Sequence, residues 1–128
     1  MSKNLRLEVV INNAVIKANM LKHEYLTLEL LMSAILEDEL VVEILSNLHV
    51  NIDNLIDELD GFLADESNFS ILTEEQIEAL SQDQFVDESL RKVAAQSGIF
   101  FQPEISEGLQ RVIQRAAIHV QSSGKKEI

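Results

Sequence analysis

Apolar residues recur at helical spacing along most of this chain. Near the start, Leu7, Val10, Ile11, Ala14, Val15 and Ala18 stand at i, i+3, i+4, i+7, i+8 and i+11. That spacing puts all six on one face of an α-helix, predicted over residues 4–20. Leu30, Leu31, Ala34 and Ile35 continue the period in a second helix over 28–36, with Thr27 as its N-cap and Glu29 in its first turn. A third helix is expected over 39–48 behind Asp38. Its Val41, Val42, Ile44, Leu45 and Leu48 leave little polar face, so it is expected to be well buried. Asn51 caps a fourth helix to residue 64, striped by Ile52, Leu55, Ile56, Leu59, Phe62 and Leu63. The connections are short, so the four helices should pack as consecutive neighbours.

Residues 65–104 differ in character. Eight acids and no Lys or Arg lie between Asp65 and Glu88. Thr73 with Gln76 reads as a capping box that opens a short helix over 74–80. A second helix is expected over 83–96, stopped by Gly98. The stretch reads as a solvated acidic connection carrying one or two weak helices. Phe100 and Phe101, just before the single proline, Pro103, are alternative apolar anchors for a docking element.

A strong helix returns over 106–123. Shifted by 102 positions, Leu7, Val10, Ile11, Ala14 and Ala18 fall on Leu109, Val112, Ile113, Ala116 and Val120. This is the signature of an internal repeat. By the same shift Leu26 falls on Ile128, the final residue, so the second copy is expected to stop after its first helix and the chain to be a fragment. The apolar face of that last helix then lacks partners from its own repeat. It should pack on the first repeat, associate with another copy or be poorly ordered. The expected architecture is all-α: a first four-helix repeat over 1–64, the acidic connection over 65–104, and the first helix of a second repeat over 105–128. No strand is predicted.

Composition narrows the function. The net charge of −12 gives nothing to neutralise phosphates and argues against nucleic acid and against an anionic membrane surface. There is no cysteine, hence no thiolate nucleophile and no Cys-ligated metal. No glycine-rich phosphate loop is present. His23, His49 and His119 sit in no metal spacing, and the expected place for each is a surface or a helix end. Ser122 and Ser123 have no base at a recognisable distance. No apolar run reaches the ~20 residues of a membrane span, and no secretory signal is seen, so a cytoplasmic location is expected.

Three stretches resemble a known family. His23-Glu24-Tyr25-Leu26-Thr27-Leu28-Glu29-Leu30-Leu31 is similar to the entry into the second helix of Clp N-terminal repeat domains, whose pattern is H-E-[FY]-[ML]-T-x-E-H-L-L. Leu109 to Ala116, continued by His119 to Gly124, resembles the fifth helix of the ClpA-type members. The chain departs from the pattern at Leu30, where the family has histidine. The resemblance covers 4–64 and 105–128. It implies two four-helix repeats, of which only the first is complete here. It further implies an appendage of a hexameric AAA+ unfoldase that hands proteins to the ClpP peptidase. The implied partners are a ClpS-type adaptor and protein substrates. Glu24, Glu29, Ser106 and Gln110 match the adaptor-contacting positions. No cofactor is expected in this segment; ATP and magnesium belong to the parent chain. The alternative is a free-standing helical regulatory or anti-adaptor protein on the same fold.

With no phosphate cradle and no nucleophile–base pair, residues 1–128 should hydrolyse no ATP and cleave no peptide. A coupled ATPase assay checks this, and turnover that survives stringent purification overturns it.

Overall fold

Short polar side chains set where the helices begin. The computed structural model describes residues 7–122. Among them run α1 (Leu7–Leu21), α2 (Leu28–Ile35), α3 (Glu39–Asn47), α4 (Ile52–Ala64), α5 (Glu74–Gln84), α6 (Glu88–Gln96) and α7 (Glu107–Ser122). A 3-10 turn occupies Glu66–Asn68, and two strands of two residues are β1 (Tyr25–Leu26) and β2 (Glu104–Ile105). Thr27 Oγ1 accepts from Leu30 N–H, Asp38 from Leu40 and Val41, and Asn51 from Asn54. The Thr73–Gln76 box is reciprocal: Gln76 N–H donates to Thr73 Oγ1 at 3.1 Å and Thr73 N–H to Gln76 Oε1 at 2.8 Å. Asp87, accepting from Ser89 N–H at 2.8 Å, delays the start of α6 past the expected residue 83. The expected start of the first helix, residues 4–6, lies outside the described residues, as do residues 123–128.

Three helices close in the same way. After α1, Lys22 N–H donates to Asn19 C=O and His23 N–H to Ala18 C=O, with Lys22 at φ 63°. After α3, His49 and Val50 repeat the pattern onto Ser46 and Leu45, with His49 at φ 62°. After α6, Gly98 at φ 85° and Ile99 bond Ala95 and Ala94. This paired closure needs one left-handed residue, at a steric cost of roughly 1–2 kcal/mol for anything but glycine. Only Gly98 announces its turn in the sequence.

The core forms where α1 meets α2. Val10, Ala14 and Ala18 of α1 are buried with Leu30 and Ala34 of α2, Leu26, Leu63 of α4 and Leu109 of α7. Three alanines on the two facing helices let their backbones approach closely. Leu30, which departs from the family histidine, is fully buried at 0% exposure, a position that suits an aliphatic side chain. The helix α3 differs from expectation. None of its residues is buried, and Ile44 and Leu48 are exposed. Its stripe is wide, but α4 covers only one side of it.

The expected solvated connection is in part a packed one. Leu72 and Phe101 are buried, and Phe69 packs against the core. Phe101, 1% exposed, is therefore no docking anchor; Phe100 does stay exposed. The tie is Asn19, buried on α1. Its Nδ2 donates to Val15 C=O at 2.9 Å and to Phe101 C=O at 3.0 Å. Its Oδ1 accepts from Phe100 N–H at 2.7 Å and Phe101 N–H at 3.1 Å. A side-chain amide is suited to this, since it carries donors and acceptors at once.

Two further expectations are corrected. A strand pair exists: β1 and β2 run parallel, with Tyr25 opposite Glu104 and Leu26 opposite Ile105. Two residues per strand are too few to show an alternating pattern in sequence. His23 is not a surface residue but 1% exposed, stacked on Phe69 with ring centroids 4.3 Å apart. The stripe of α7 divides. Leu109 is buried in the core with residues of α1, α2 and α4, whereas Val112, Ile113 and Ala116 stay exposed. The side chain of Val120 lies outside the described residues.

Two stability changes follow. Asn19→Ala should cost about 2–4 kcal/mol, because each buried backbone group left unpaired costs about 1–3 kcal/mol; urea unfolding measures it, and an unchanged midpoint refutes the clamp. His23 titrates below its ordinary 6.5 because burial disfavours the charged ring, opposed more weakly by a hydrogen bond to the Leu63 backbone. The unfolded chain then takes up a proton that the folded chain resists. This contribution to stability is fully present above the unfolded value and is lost as the pH falls below it. Compared with the wild type, His23→Phe should show a smaller drop in urea midpoint between neutral and mildly acidic pH.

Candidate functional site

The loop from Lys22 to Leu26 is held from two sides. On one side Leu72 N–H donates to Lys22 C=O at 2.8 Å and Glu24 N–H to Ser70 C=O at 3.0 Å, with His23 and Ile71 bridged antiparallel. On the other, Glu104 N–H donates to Glu24 C=O at 3.3 Å and Ser106 N–H to Leu26 C=O at 3.0 Å. Three segments far apart in sequence are thereby laid side by side.

They enclose a cleft of about 140 Å³ lined by His23, Tyr25, Thr27, Asn68, Phe69, Ser70 and Ser106. Two of these residues stand at helix starts. Thr27 caps α2, and Ser106 Oγ accepts from Leu109 N–H at 3.2 Å in the first turn of α7. Both helix N-termini, with their positive dipole ends, therefore begin at the cleft wall. Tyr25 and Phe69 supply aromatic surface, and Phe69 is braced edge-on by Phe62 at 5.4 Å.

The strand pair brings two of the four expected contact residues together. Glu24 is half-buried, and its Oε1 accepts from the Ser70 hydroxyl at 2.7 Å. Ser106 lies just past the strand that pairs with the Glu24 segment. Glu29 sits half-buried in the first turn of α2, and Gln110 lies exposed in the first turn of α7. Gln110 N–H donates to Ser106 C=O at 2.9 Å within the first turn of α7, and Glu29 follows Thr27, the other capping residue of the cleft. Sequence reasoning missed Ser70, Phe69 and Tyr25. Phe69 and Ser70 reach the site only by folding back over the loop, and no local signal marks that.

The cleft holds no activated nucleophile. His23 Nδ1 is buried without a hydrogen-bond partner, so none of the cleft hydroxyls is paired with it as a Ser–His couple would be. Among the described residues no group of three or more His, Asp or Glu could hold a metal ion. No helix among them is long and apolar enough to cross a membrane. The chemistry on offer is hydrogen bonding: hydroxyls and an amide between aromatic walls, with the Glu24 carboxylate held next to them by Ser70, which is the equipment of a recognition surface.

Comparison with known proteins identifies the family. The family model of the Clp repeat N-terminal domain matches residues 4–78. A ClpA homolog protein of Fuscovulum blasticum is 31% identical over 122 residues, which is 95% of this chain and 12% of that protein. The chain thus spans about an eighth of that relative's length. No solved structure matches. The helical fold, the matched family model and the likeness to a ClpA homolog together place the chain in the Clp repeat N-terminal domain family, among its ClpA-type members.

Proposed function

We propose that this domain docks a ClpS-type adaptor and protein substrates for a ClpA-like unfoldase that delivers them to the ClpP peptidase. One observation supports the reading: Ser106 lines the cleft together with Ser70, whose hydroxyl donates to Glu24, and these are positions where the resemblance expects an adaptor to bind. Glu24 is oriented by Ser70, so part of the entropic cost of fixing its carboxylate is met before a partner arrives. Glu29 adds a second carboxylate at the start of α2, and Gln110 a neutral donor and acceptor at the start of α7. A partner offering Lys, Arg or N–H groups would form charge-assisted hydrogen bonds to this rim.

ATP, magnesium and hexamer formation belong on this reading to the rest of a parent chain in the cytoplasm. The segment itself contributes binding and no catalysis.

The double variant Glu24→Lys, Glu29→Lys should still fold, since both half-buried carboxylates reach solvent and losing the helix-dipole contact at Glu29 costs about 0.3–1 kcal/mol. The cost should be greater only for the Ser70 bond that Glu24 loses. Adaptor binding should weaken by about 2–4 kcal/mol, the scale of two charge-assisted hydrogen bonds. Calorimetry against the cognate adaptor, with circular dichroism as a control, tests this. Full affinity in the well-folded variant removes the site assignment.

A further inference from the structure

The wall of the cleft holds donors at one end and acceptors at the other, and none of its residues is Asp, Glu, Lys or Arg. Thr27 Oγ1 and Ser106 Oγ each accept a backbone N–H, at 3.3 and 3.2 Å, so each keeps its own O–H proton to donate. Across the Lys22–Leu26 loop the balance reverses. The Ser70 proton is committed to Glu24, and Asn68 Nδ2 to Phe62 C=O at 3.1 Å. The Ser70 oxygen and Asn68 Oδ1 are left to accept. His23 adds a third acceptor on this side. Its ring donates to the Leu63 backbone while Nδ1 is buried without a partner, so Nε2 is the donor and Nδ1 keeps a free lone pair.

The fields run in the same sense as the hydrogen bonds. The positive ends of α2 and α7 stand at Thr27 and Ser106 and disfavour a cation. The Glu24 carboxylate, held by Ser70 next to the cleft, disfavours an anion. A neutral group with its oxygen at one end and its N–H at the other suits both. A primary carboxamide has that form, with one carbonyl oxygen and two N–H donors on a flat frame. A backbone amide offers a single N–H to the same acceptors. The cleft volume of about 140 Å³ is well beyond the ~10–15 Å³ that one water needs, so a side chain can enter.

We infer that the cleft takes the side-chain carboxamide of a glutamine or asparagine presented by a protein partner. Its oxygen accepts from the Thr27 and Ser106 hydroxyls, and its NH2 group donates to the acceptors on the Ser70 side. The rings of Tyr25 and Phe69 supply the apolar surface for the flat amide. This deepens the docking reading and rests on it only for the source of the group. The pocket chemistry itself is independent of Glu29 and Gln110.

Four small probes test this: the N-acetyl, N-methylamide derivatives of glutamine, alanine, glutamate and lysine. Each is titrated at neutral pH into the 15N-labelled chain and followed by NMR. One side chain binds weakly, so saturation is expected in the millimolar range. The glutamine derivative should saturate, with shifts centred on Tyr25, Thr27, Ser70 and Ser106. The other three should bind at least tenfold more weakly. Ser106→Ala, which removes one donor, should weaken the glutamine derivative about fivefold, the scale of one hydrogen bond. Tyr25→Ala, at an exposed position outside the core, should weaken it too and decides the matter if Ser106→Ala loosens the start of α7. Saturation-transfer NMR on the full-length gene product should rank the probes in the same order. The inference is overturned if the alanine derivative binds as well as glutamine, if either charged derivative does, if the shifts lie elsewhere, or if the full-length protein shows no preference. No adaptor is present in these titrations, so a cleft that refuses the carboxamide while an adaptor still binds sinks this inference alone.

Discussion

The loop from Lys22 to Leu26 is the piece on which the rest of the structure depends. It is the connection between two helices, yet its backbone is bonded on both sides by segments about 50 and 80 residues further along. Buried peptide groups must find partners, and here they find them in Ser70, Leu72, Glu104 and Ser106. The same bonds set the entry of α7, because Ser106, whose N–H donates to Leu26 C=O, also caps that helix. They also build the cleft, whose walls are the three segments so joined. The left-handed turn at Lys22 aims the chain into this position, and the long-range bonds offset its strain.

Asn19 acts beside that loop as a second tie of the same kind. One side chain satisfies three backbone groups of Phe100 and Phe101 and seats the Phe101 ring in the core. The acidic stretch is thus solvated along α5 and α6 but anchored at both ends, by Phe69 and Leu72 before the helices and Phe101 after them. This division explains how a segment rich in acids can frame a binding cleft. Its charges remain in water while its few large apolar residues are drawn inside. His23, stacked on Phe69, is drawn in with them, and burial holds its ring below the ordinary histidine value.

Family membership and geometry point the same way but rest on different residues. The matched family model ends at residue 78, before α6 and α7. The cleft needs Ser106, which lies beyond that match. A site made by the first repeat and the start of α7 is therefore visible only when the chain is folded.

The sequence by itself determined the helices to within a few residues, the side-chain caps at Thr27, Asp38, Asn51 and Thr73, the Gly98 stop and the helical stripe of the core. These are encoded locally: hydrogen bonds between residues two to four apart, and periodicity along one face, depend on neighbours in the chain. The sequence also supplied Glu24, Glu29, Ser106 and Gln110 as candidates, through a resemblance and not through their chemistry. Only the tertiary structure decided that β1 and β2 pair and that Ser106 lines one cleft with Ser70, the partner of Glu24. It alone decided that His23 is buried, that Lys22 and His49 take left-handed turns, and that Phe101 is core while Val112 and Ile113 are not. Apart from the turn at His49, whose closing bonds are local, each of these depends on partners between roughly 40 and 80 residues away, or on which side of a stripe another element happens to cover. No periodicity or cap reports on such a distance, because the loop-closure cost of the contact is met by the whole fold.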